Sequence, residues 1–399
     1  MDSRVVYTDI IDEPGEAARE IFEKLDGFVF HKNSLAIIFM EEDTDYHGLY
    51  EILSGKWDFP IIGCTAMAMI TGSEGFVNEG LACMIMSADD CRFAAGVTGE
   101  LTPENYQEQI ARVYSDLSSD LGEEEQVVLA YGVCVTEKNN VSGDDLLMAT
   151  NMVCGSKPIF GGLASDELSF RKMKVFCNDK EVESGQVMAL ISGNIHPKYM
   201  HITSIDNLIN SKVYTITRSK DNIVYEIDGE PLMDVLEREQ FGTEKTDVLR
   251  DYLHTPFVVT IEQRDGGHVS SARNLSVLDH ENKSGIFLGY MPEGAKLEIG
   301  FVNRERVKAT LAEVMYAMMN YVAASDKDYG TVLCTSCASR YIVISTQIKE
   351  ESSMWVDRLP EGFGYLGMYS YGEFCPTTDE GSGQDYNMFH NFTYAMLAI

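Results

Sequence analysis

The sequence predicts an α+β fold in which mixed β-sheets are flanked by helices and arranged as two packed halves. Apolar stretches with the two-residue period of strands alternate with stretches that have the period of helices. The same order of elements, namely strand, helix, Gly-rich strand or turn, and closing strand, then occurs three times. The length of 399 residues suggests two or three structural units. We expect two halves that meet around residue 225, with one domain over residues 1–225 and another over residues 226–399.

The three units supply the predicted core elements. Their segments are 34–42, 43–57, 59–70 and 80–87 in the first unit, 126–136, 142–155, 157–167 and 185–193 in the second, and 329–339, 349–359, 362–374 and 392–399 in the third. One unit buries only one face, so we expect the units to pack against one another. The glycines of their turns, Gly63, Gly161 and Gly367, should then occupy equivalent positions, where they either allow tight turns and close backbone approach or form a ligand site.

Other helices are predicted where apolar residues recur at helical spacing. One helix follows Glu13-Pro14, a second follows Thr102-Pro103 with Thr102 as its N-cap, and the longest covers about 304–324. In the second unit, Ser142 and Asp145 match a capping box. Four further strands are expected over residues 212–218, 257–263, 285–290 and 296–302.

Composition excludes several classes of function. With 63 acidic and 31 basic residues, the net charge of −32 repels nucleic acids and anionic lipid surfaces. The sequence has neither a signal peptide nor an apolar run of about 18 residues, so we expect a cytoplasmic protein without membrane insertion. The nine cysteines are odd in number, and Cys334-x-x-Cys337 has no second ligand pair nearby. We therefore predict reduced thiols, no disulfide, no metal and no other cofactor.

Five segments in order resemble the FIST family of signal-transduction domains. They are PIIGCT at 60–65, PIFGGLASDE at 158–167 with the hairpin region 174–193, FLGYMPEGAKLEIGF at 287–301, CTSCASR at 334–340, and YSYGEF at 369–374 with HNFTYAMLAI at 390–399. The first turn departs from the family pattern, because Met67 and Ala68 stand where Gly-Glu is usual.

The resemblance implies a FIST N-terminal half, a FIST C-terminal half and a sensory role with a small ligand such as an amino acid. Relatives often carry a fused output module, for which this chain has no room. We therefore expect the output to act through a signalling protein partner or a homo-oligomer.

The predicted ligand pocket is lined by Cys337, Arg340, Glu373 and Asn391, with Thr65 and Asp166 approaching from the other half. Arg340 would hold a carboxylate in bidentate fashion, and Glu373 or Asp166 would hold an ammonium group. The alternative for these polar residues is a hydrogen-bonded structural network.

Three functions remain open at this point. The first is a ligand-binding sensor, the second is a thiol-dependent hydrolase or transferase that uses Cys337, and the third is a protein-interaction scaffold without a ligand. No Ser-His-Asp order, phosphate-binding loop or dinucleotide motif is recognisable, so no catalytic residue is assigned.

Overall fold

The computed structural model describes residues 1–134, 141–205, 207–208, 212–244, 248–263, 265–347, 349, 363–379 and 381–399. Residues 1–90 form β1 (Asp2–Thr8), α1 (Pro14–Lys24), β2 (Asn33–Met40), α2 (Tyr46–Leu53), β3 (Ile61–Thr65), β4 (Met69–Thr71), β5 (Gly75–Val77) and β6 (Leu81–Ala88). Residues 91–203 form β7 (Cys91–Val97), α3 (Tyr106–Leu121), β8 (Val127–Gly132), α4 (Gly143–Cys154), β9 (Ile159–Leu163), β10 (Val175–Cys177), β11 (Lys180–Val182), β12 (Gln186–Gly193) and β13 (Lys198–Thr203).

The remaining elements form two groups. Residues 207–301 contain β14 (Asn207–Leu208), β15 (Tyr214–Lys220), β16 (Ile223–Ile227), β17 (Glu230–Pro231), α5 (Leu232–Arg238), α6 (Val248–Asp251), β18 (Phe257–Glu262), β19 (His268–Arg273), β20 (Leu275–Asp279), β21 (Ser284–Phe287) and β22 (Lys296–Phe301). The C-terminal group is α7 (Arg304–Ala324), β23 (Thr331–Cys337), α8 (Ala338–Ile344), a 3₁₀ turn (Ser345–Gln347), β24 (Gly364–Ser370), β25 (Glu373–Thr378), β26 (Asp385–His390) and β27 (Thr393–Ala398).

Three six-stranded sheets share one arrangement. Their strand orders are β1-β6-β2-β3-β10-β11 in sheet 1, β7-β12-β8-β9-β25-β26 in sheet 2 and β13-β27-β23-β24-β4-β5 in sheet 3. Each sheet has a central parallel pair (β2–β3, β8–β9 or β23–β24), and the connection between the two strands contains a helix. An antiparallel strand flanks each pair, namely β6, β12 or β27. The molecule is therefore an α+β protein built from mixed sheets.

The outer hairpin of each sheet comes from a different unit. Hairpin β10–β11 follows β9 of sheet 2 but pairs with β3 of sheet 1. Hairpin β25–β26 follows β24 of sheet 3 but pairs with β9 of sheet 2. Hairpin β4–β5 follows β3 of sheet 1 but pairs with β24 of sheet 3. The three sheets are thus linked in a cycle by exchanged hairpins.

The exchange bears on the expected boundary at residue 225. Sheets 2 and 3 each contain strands from both sides of that residue, so the two halves are interleaved through shared sheets. Residue 225 itself lies within β16. The division into domains 1–225 and 226–399 stays a prediction.

The inner faces of the three sheets share one apolar core, to which Ile37, Leu129 and Leu333 contribute. Helices cover the outer faces: α1 and α2 pack on sheet 1, α3 and α4 on sheet 2, and α7 and α8 on sheet 3. No helix in the described part of the chain is long and apolar enough to cross a membrane.

A fourth, nine-stranded sheet is inserted between β13 and α7. Its order is β19-β18-β22-β15-β16-β21-β20, with β14 paired to β22 and β17 paired to β16. The corresponding links in the other two units are the short segments 9–13 and 98–105. The inserted sheet has its own core, to which α5 and α6 contribute. It is therefore an addition to the three-sheet arrangement.

The three turn glycines occupy corresponding positions in the central parallel pairs. Gly63 lies opposite Ile38, Gly161 opposite Ala130, and Gly367 opposite Cys334. A Cβ atom would lie 1.8 Å from the Ile38 carbonyl oxygen, 1.9 Å from that of Ala130 and 1.9 Å from the Cys334 sulfur, respectively. Close approach of the neighbouring backbone therefore requires glycine at positions 63 and 161, and the Cys334 side chain leaves no room for a Cβ atom at position 367.

Several predicted elements are confirmed. The helix after Glu13-Pro14 begins at Pro14, and the long helix covers Arg304–Ala324. Ser142 and Asp145 form the predicted capping box. The predicted N-cap at Thr102 is wrong, because residues 103–105 form a turn and α3 begins at Tyr106.

The third unit differs from its predicted outline. Helix α8 was missed because residues 338–339 were assigned to the preceding strand, and the β-branched residues that follow favour strands. The predicted helix over 349–359 lies outside the described residues except for residue 349.

Candidate functional site

The three Gly-rich turns meet at Ser165, which is fully buried. Its amide donates to the carbonyl of Thr65 (3.0 Å), and its hydroxyl donates to the carbonyl of Tyr369 (2.5 Å) and accepts from the amide of Met67 (2.9 Å). The amide of Tyr369 donates in turn to the carbonyl of Ala68 (2.9 Å). One turn from each unit therefore contacts the other two at the same end of the molecule.

A buried polar group lies beside this junction, around the first residue of β25. The hydroxyl of Ser370 donates to Oε1 of Glu373 at 2.6 Å, and the thiol of Cys337 interacts with the same carboxylate. Ser339 contacts Cys337 and accepts a hydrogen bond from Nδ2 of Asn274 at 2.7 Å. Together with Asn391, which follows the β26 partner of Glu373, these residues form what we call the Glu373 cluster.

Three oxygen atoms of the Glu373 cluster lack a partner of ordinary hydrogen-bond geometry within the described part of the chain. They are Oε2 of Glu373, Oδ1 of Asn391 and Oδ1 of Asn274. The three side chains are 4% exposed or less, so bulk water does not satisfy them. Buried acceptors without donors are unfavourable. An N–H group of a ligand placed beside any of these oxygens would supply the missing donor.

Burial dominates the electrostatics of the cluster. It raises the pKa of Glu373 well above the usual value, although the hydroxyl of Ser370, the amide of Thr393 and the charge of Arg340 act in the opposite direction. Burial and the nearby carboxylate raise the pKa of Cys337 to about 12. The thiol is therefore neutral near pH 7 and is a poor nucleophile.

Glu373 occupies a position that is apolar in the other two sheets. The first residue of each exchanged hairpin pairs with the residue that follows a turn glycine. These pairs are Glu373–Gly162, Val175–Cys64 and Met69–Met368. Met69 and Val175 are fully buried in the shared core. The architecture is therefore compatible with an apolar side chain here, and the fold itself does not explain the buried carboxylate.

Arg340 is fully buried and contacts several protein groups. Its Nη1 donates to the hydroxyls of Ser204 and Thr310 (3.0 Å for Thr310), and its Nη2 donates to the carbonyl of Val307 at 3.1 Å. The guanidinium also lies 5.2 Å from the ring centroid of Tyr394. These contacts join α8 to α7, which favours the structural interpretation; a role in binding a carboxylate stays a prediction.

Thr65 and Asp166 lie at the junction of the turns. The hydroxyl of Thr65 accepts from the amide of Lys174 at 3.0 Å. The Asp166 carboxylate accepts from the Ser169 and Tyr371 hydroxyls and from four consecutive amides, at residues 169–172. Burial opposes ionisation of Asp166, but these donors together hold its pKa well below the usual value. Asp166 thus organises its own loop, and its role in ligand binding also stays a prediction.

The two cysteines of the C-x-x-C motif face opposite sides of β23. Cys334 accepts from the hydroxyls of Tyr365 (2.9 Å) and Tyr394 (3.2 Å) in the outer core, whereas Cys337 faces Glu373. Residues three apart on a strand point in opposite directions. A shared metal or a disulfide would therefore require rearrangement of β23.

Sequence reasoning missed three members of the cluster, namely Asn274, Ser339 and Ser370. Ser339 and Ser370 lie inside the two C-terminal motifs, at two residues after Cys337 and three residues before Glu373. Asn274 belongs to the inserted sheet region between β19 and β20, and no sequence signal indicated that this region reaches the site.

Comparison with protein-family models gives two matches in tandem. The FIST N domain matches residues 34–230, and the FIST C domain matches residues 233–376. Together they cover most of the chain, and the second match includes Asn274, Cys337 and Glu373. A search of curated proteins found no match.

Proposed function

Because this chain belongs to the FIST family, whose domains are sensory domains of signal transduction, we propose that it is a cytoplasmic sensor of a small ligand with an ammonium group, such as an amino acid. The predicted reduced thiols support the cytoplasmic location. The common strand pairing of the three sheets supports an origin of the units as an internal repeat.

The observation that carries the proposal is the buried carboxylate of Glu373 at a position where the other sheets have Met69 and Val175. The fold accepts an apolar side chain at this position, and Oε2 of Glu373 has no donor of ordinary geometry among the described residues, so the ionised form of Glu373 suits recognition of a cation. The Oδ1 atoms of Asn274 and Asn391, which also have no donor among the described residues, would accept the remaining N–H groups of an ammonium ion.

The position of Asn274 supports a route from ligand binding to a signal. Asn274 comes directly after β19 of the inserted sheet, whereas Ser339, its hydrogen-bond partner, belongs to α8 on sheet 3. A ligand held by Asn274 and Glu373 together would strengthen the contact between the inserted sheet and the three-sheet body. A signalling partner or a second copy of the chain would then recognise this strengthened contact.

The thiol-enzyme alternative is less well supported. A nucleophilic cysteine needs a lowered pKa, whereas burial and Glu373 raise that of Cys337. No observation favours a ligand-free scaffold, because such a role does not account for the unsatisfied oxygens of the Glu373 cluster.

Calorimetry with three ligand groups tests the proposed function. The groups are amino acids, amines without a carboxylate, and carboxylic acids without an amine. We expect at least one amine-containing ligand to bind. Asn274→Ala should lower the affinity for that ligand by about tenfold, as for loss of one hydrogen bond to a charged group. Asn222→Ala is the matched control, because Asn222 bonds the carbonyl of Phe287 elsewhere in the inserted sheet. Binding by the carboxylic acids alone would contradict the proposal.

The same ligand groups test the predicted role of Arg340. If its guanidinium binds a ligand carboxylate, Arg340→Lys should lower the affinity for amino acids by about tenfold or more and leave the affinity for simple amines unchanged. An equal loss of affinity for amino acids and for simple amines in a folded variant would show that Arg340 acts through the structure of α7 and α8.

A further inference from the structure

A cavity with a volume of about 680 Å³ lies beside the amino ends of β2 and β3 in sheet 1, and none of the Glu373 cluster lines it. It is formed by the end of α1, the connection from α1 to β2, the connection from α2 to β3, and Phe93 of β7. We propose that this cavity, which we call the aromatic groove, binds a planar aromatic molecule that carries an acidic group. Its volume lies within the range of about 300–1,000 Å³ typical of small-molecule sites.

One wall of the aromatic groove is a continuous series of five rings. The distances between successive ring centroids, from Phe22 through Trp57, Phe59 and Phe30 to Phe28, are 5.7, 5.3, 5.8 and 5.1 Å. All five rings line the cavity. Phe30 is 42% exposed, so part of this wall faces solvent. Exposed contiguous aromatic surface favours the binding of another flat apolar group.

The fold does not require aromatic residues in these connections. The two connections in sheet 1 are residues 25–32 and 54–60, and their counterparts in sheet 2 are the shorter segments 122–126 and 155–158. The sheet 2 segments read GEEEQ and GSKP and contain no aromatic residue. Because sheet 2 forms with small and charged residues there, the aromatic wall of sheet 1 calls for an explanation other than folding.

Lysine ammonium groups flank the aromatic wall. Lys32 and Lys56 line the groove with two carboxylates, Asp26 and Asp58, whereas His31 is held between the carboxylates of Asp2 (2.8 Å) and Asp89 (3.3 Å). The Lys56 ammonium lies 3.9 Å from the ring centroid of Phe22. A ligand stacked on the wall would therefore have a cation at its edge that can accept an acidic group.

Calorimetry with 2-naphthoate, 2-naphthylmethanol and 2-naphthylmethylamine at equal ionic strength tests the proposal. We expect the carboxylate to bind at one site and more tightly than the alcohol or the amine. Phe30→Ala should weaken binding of the carboxylate by about two- to tenfold, as for loss of an aromatic contact, and Lys56→Gln by about two- to fivefold, as for loss of an exposed charge contact. Thermal melts check that each variant folds.

Two controls match these substitutions. Val29 is 64% exposed and adjoins Phe30 in sequence without lining the groove, so Val29→Ala should leave binding unchanged. Lys220→Gln removes an equal charge in the inserted sheet and should also have no effect. The proposal is overturned if none of the three compounds binds at millimolar concentration, if the amine binds at least as tightly as the carboxylate, or if Phe30→Ala binds as the parent does.

Discussion

At the scale of single residues, Glu373 combines two features that oppose stability. Its carboxylate is fully buried, and one oxygen lacks a donor of ordinary geometry among the described residues. Met69 and Val175 avoid both features at the corresponding positions. A polar side chain retained at such a position is understandable if it serves binding, because binding sites are often less stable than the fold allows.

Replacement of Glu373 by glutamine should make stability depend less on pH. Below the ordinary pKa of a glutamic acid side chain, about 4.3, the carboxyl is protonated in both the folded and the unfolded state. As the pH rises, the unfolded chain loses the proton first, because burial raises the pKa of the folded protein, so the parent loses stability. We expect Glu373→Gln to melt roughly 1–4 °C above the parent at pH 7.5 and within about 1 °C of it at pH 4.

The exposed Glu281→Gln variant is the control for this pH series, since it removes an acid without altering a buried site. A difference in melting temperature between Glu373→Gln and the parent that stays constant from pH 4 to pH 7.5 would show that ionisation of Glu373 is not its cause.

The sequence predicted only part of the cluster. Cys337, Glu373 and Asn391 were identified because they are polar residues of recognisable motifs in an apolar C-terminus. Asn274 is about 60 residues before Cys337 in the chain, and only the packing of the inserted sheet on α8 brings it to Ser339. The roles of Arg340 and Asp166 depend on which groups surround them, and spacing along the chain does not determine those contacts.

At the scale of elements, the central parallel pairs share a close approach between strands. The approach at Gly367 differs from the other two because it involves the Cys334 side chain, whereas Gly63 and Gly161 face backbone carbonyls. The sequence predicted close backbone approach as one of two roles for these glycines. It did not identify the atoms that each glycine approaches, because strand register depends on pairing between distant segments.

Gly367→Ala should destabilise the protein by about 1–3 kcal/mol, because the new methyl group would overlap the sulfur of Cys334. Adding Cys334→Ala removes that sulfur and should recover at least half of the loss, measured by chemical denaturation. Gly63→Ala gives the matched comparison: its clash is with the Ile38 backbone, so Ile38→Ala should not rescue it. An additive effect of the Gly367 and Cys334 substitutions would show that the overlap is not the cause.

At the scale of the whole molecule, the exchanged hairpins make the three sheets depend on one another. The sequence predicted the units and their order of elements, but it did not indicate that each hairpin pairs with another unit. Hairpins usually pack near the strands that precede them, and the alternation of apolar residues does not specify a partner. The inserted sheet was likewise seen as separate strands without a topology.

A chain limited to residues 1–225 should not fold independently. It lacks β23, β24 and β27, which complete sheet 3, and β25, which pairs with β9 in sheet 2. We expect amide hydrogen exchange in such a fragment to show little protection in β9 and β13, with protection restored when residues 226–399 are coexpressed. A monomeric fragment with a sharp thermal transition and native protection in these strands would contradict the interleaved architecture.

The most direct test of the central claim compares Glu373→Met with Val175→Met, using the ligand that binds best in the three-group calorimetric screen. Both variants place methionine at the first position of an exchanged hairpin, where Met69 stands in hairpin β4–β5, so both should fold. We predict that Glu373→Met binds the ligand about ten- to hundredfold more weakly than the parent, whereas Val175→Met binds it as the parent does. A folded Glu373→Met variant with unchanged affinity would show that the ligand is not recognised by the Glu373 cluster.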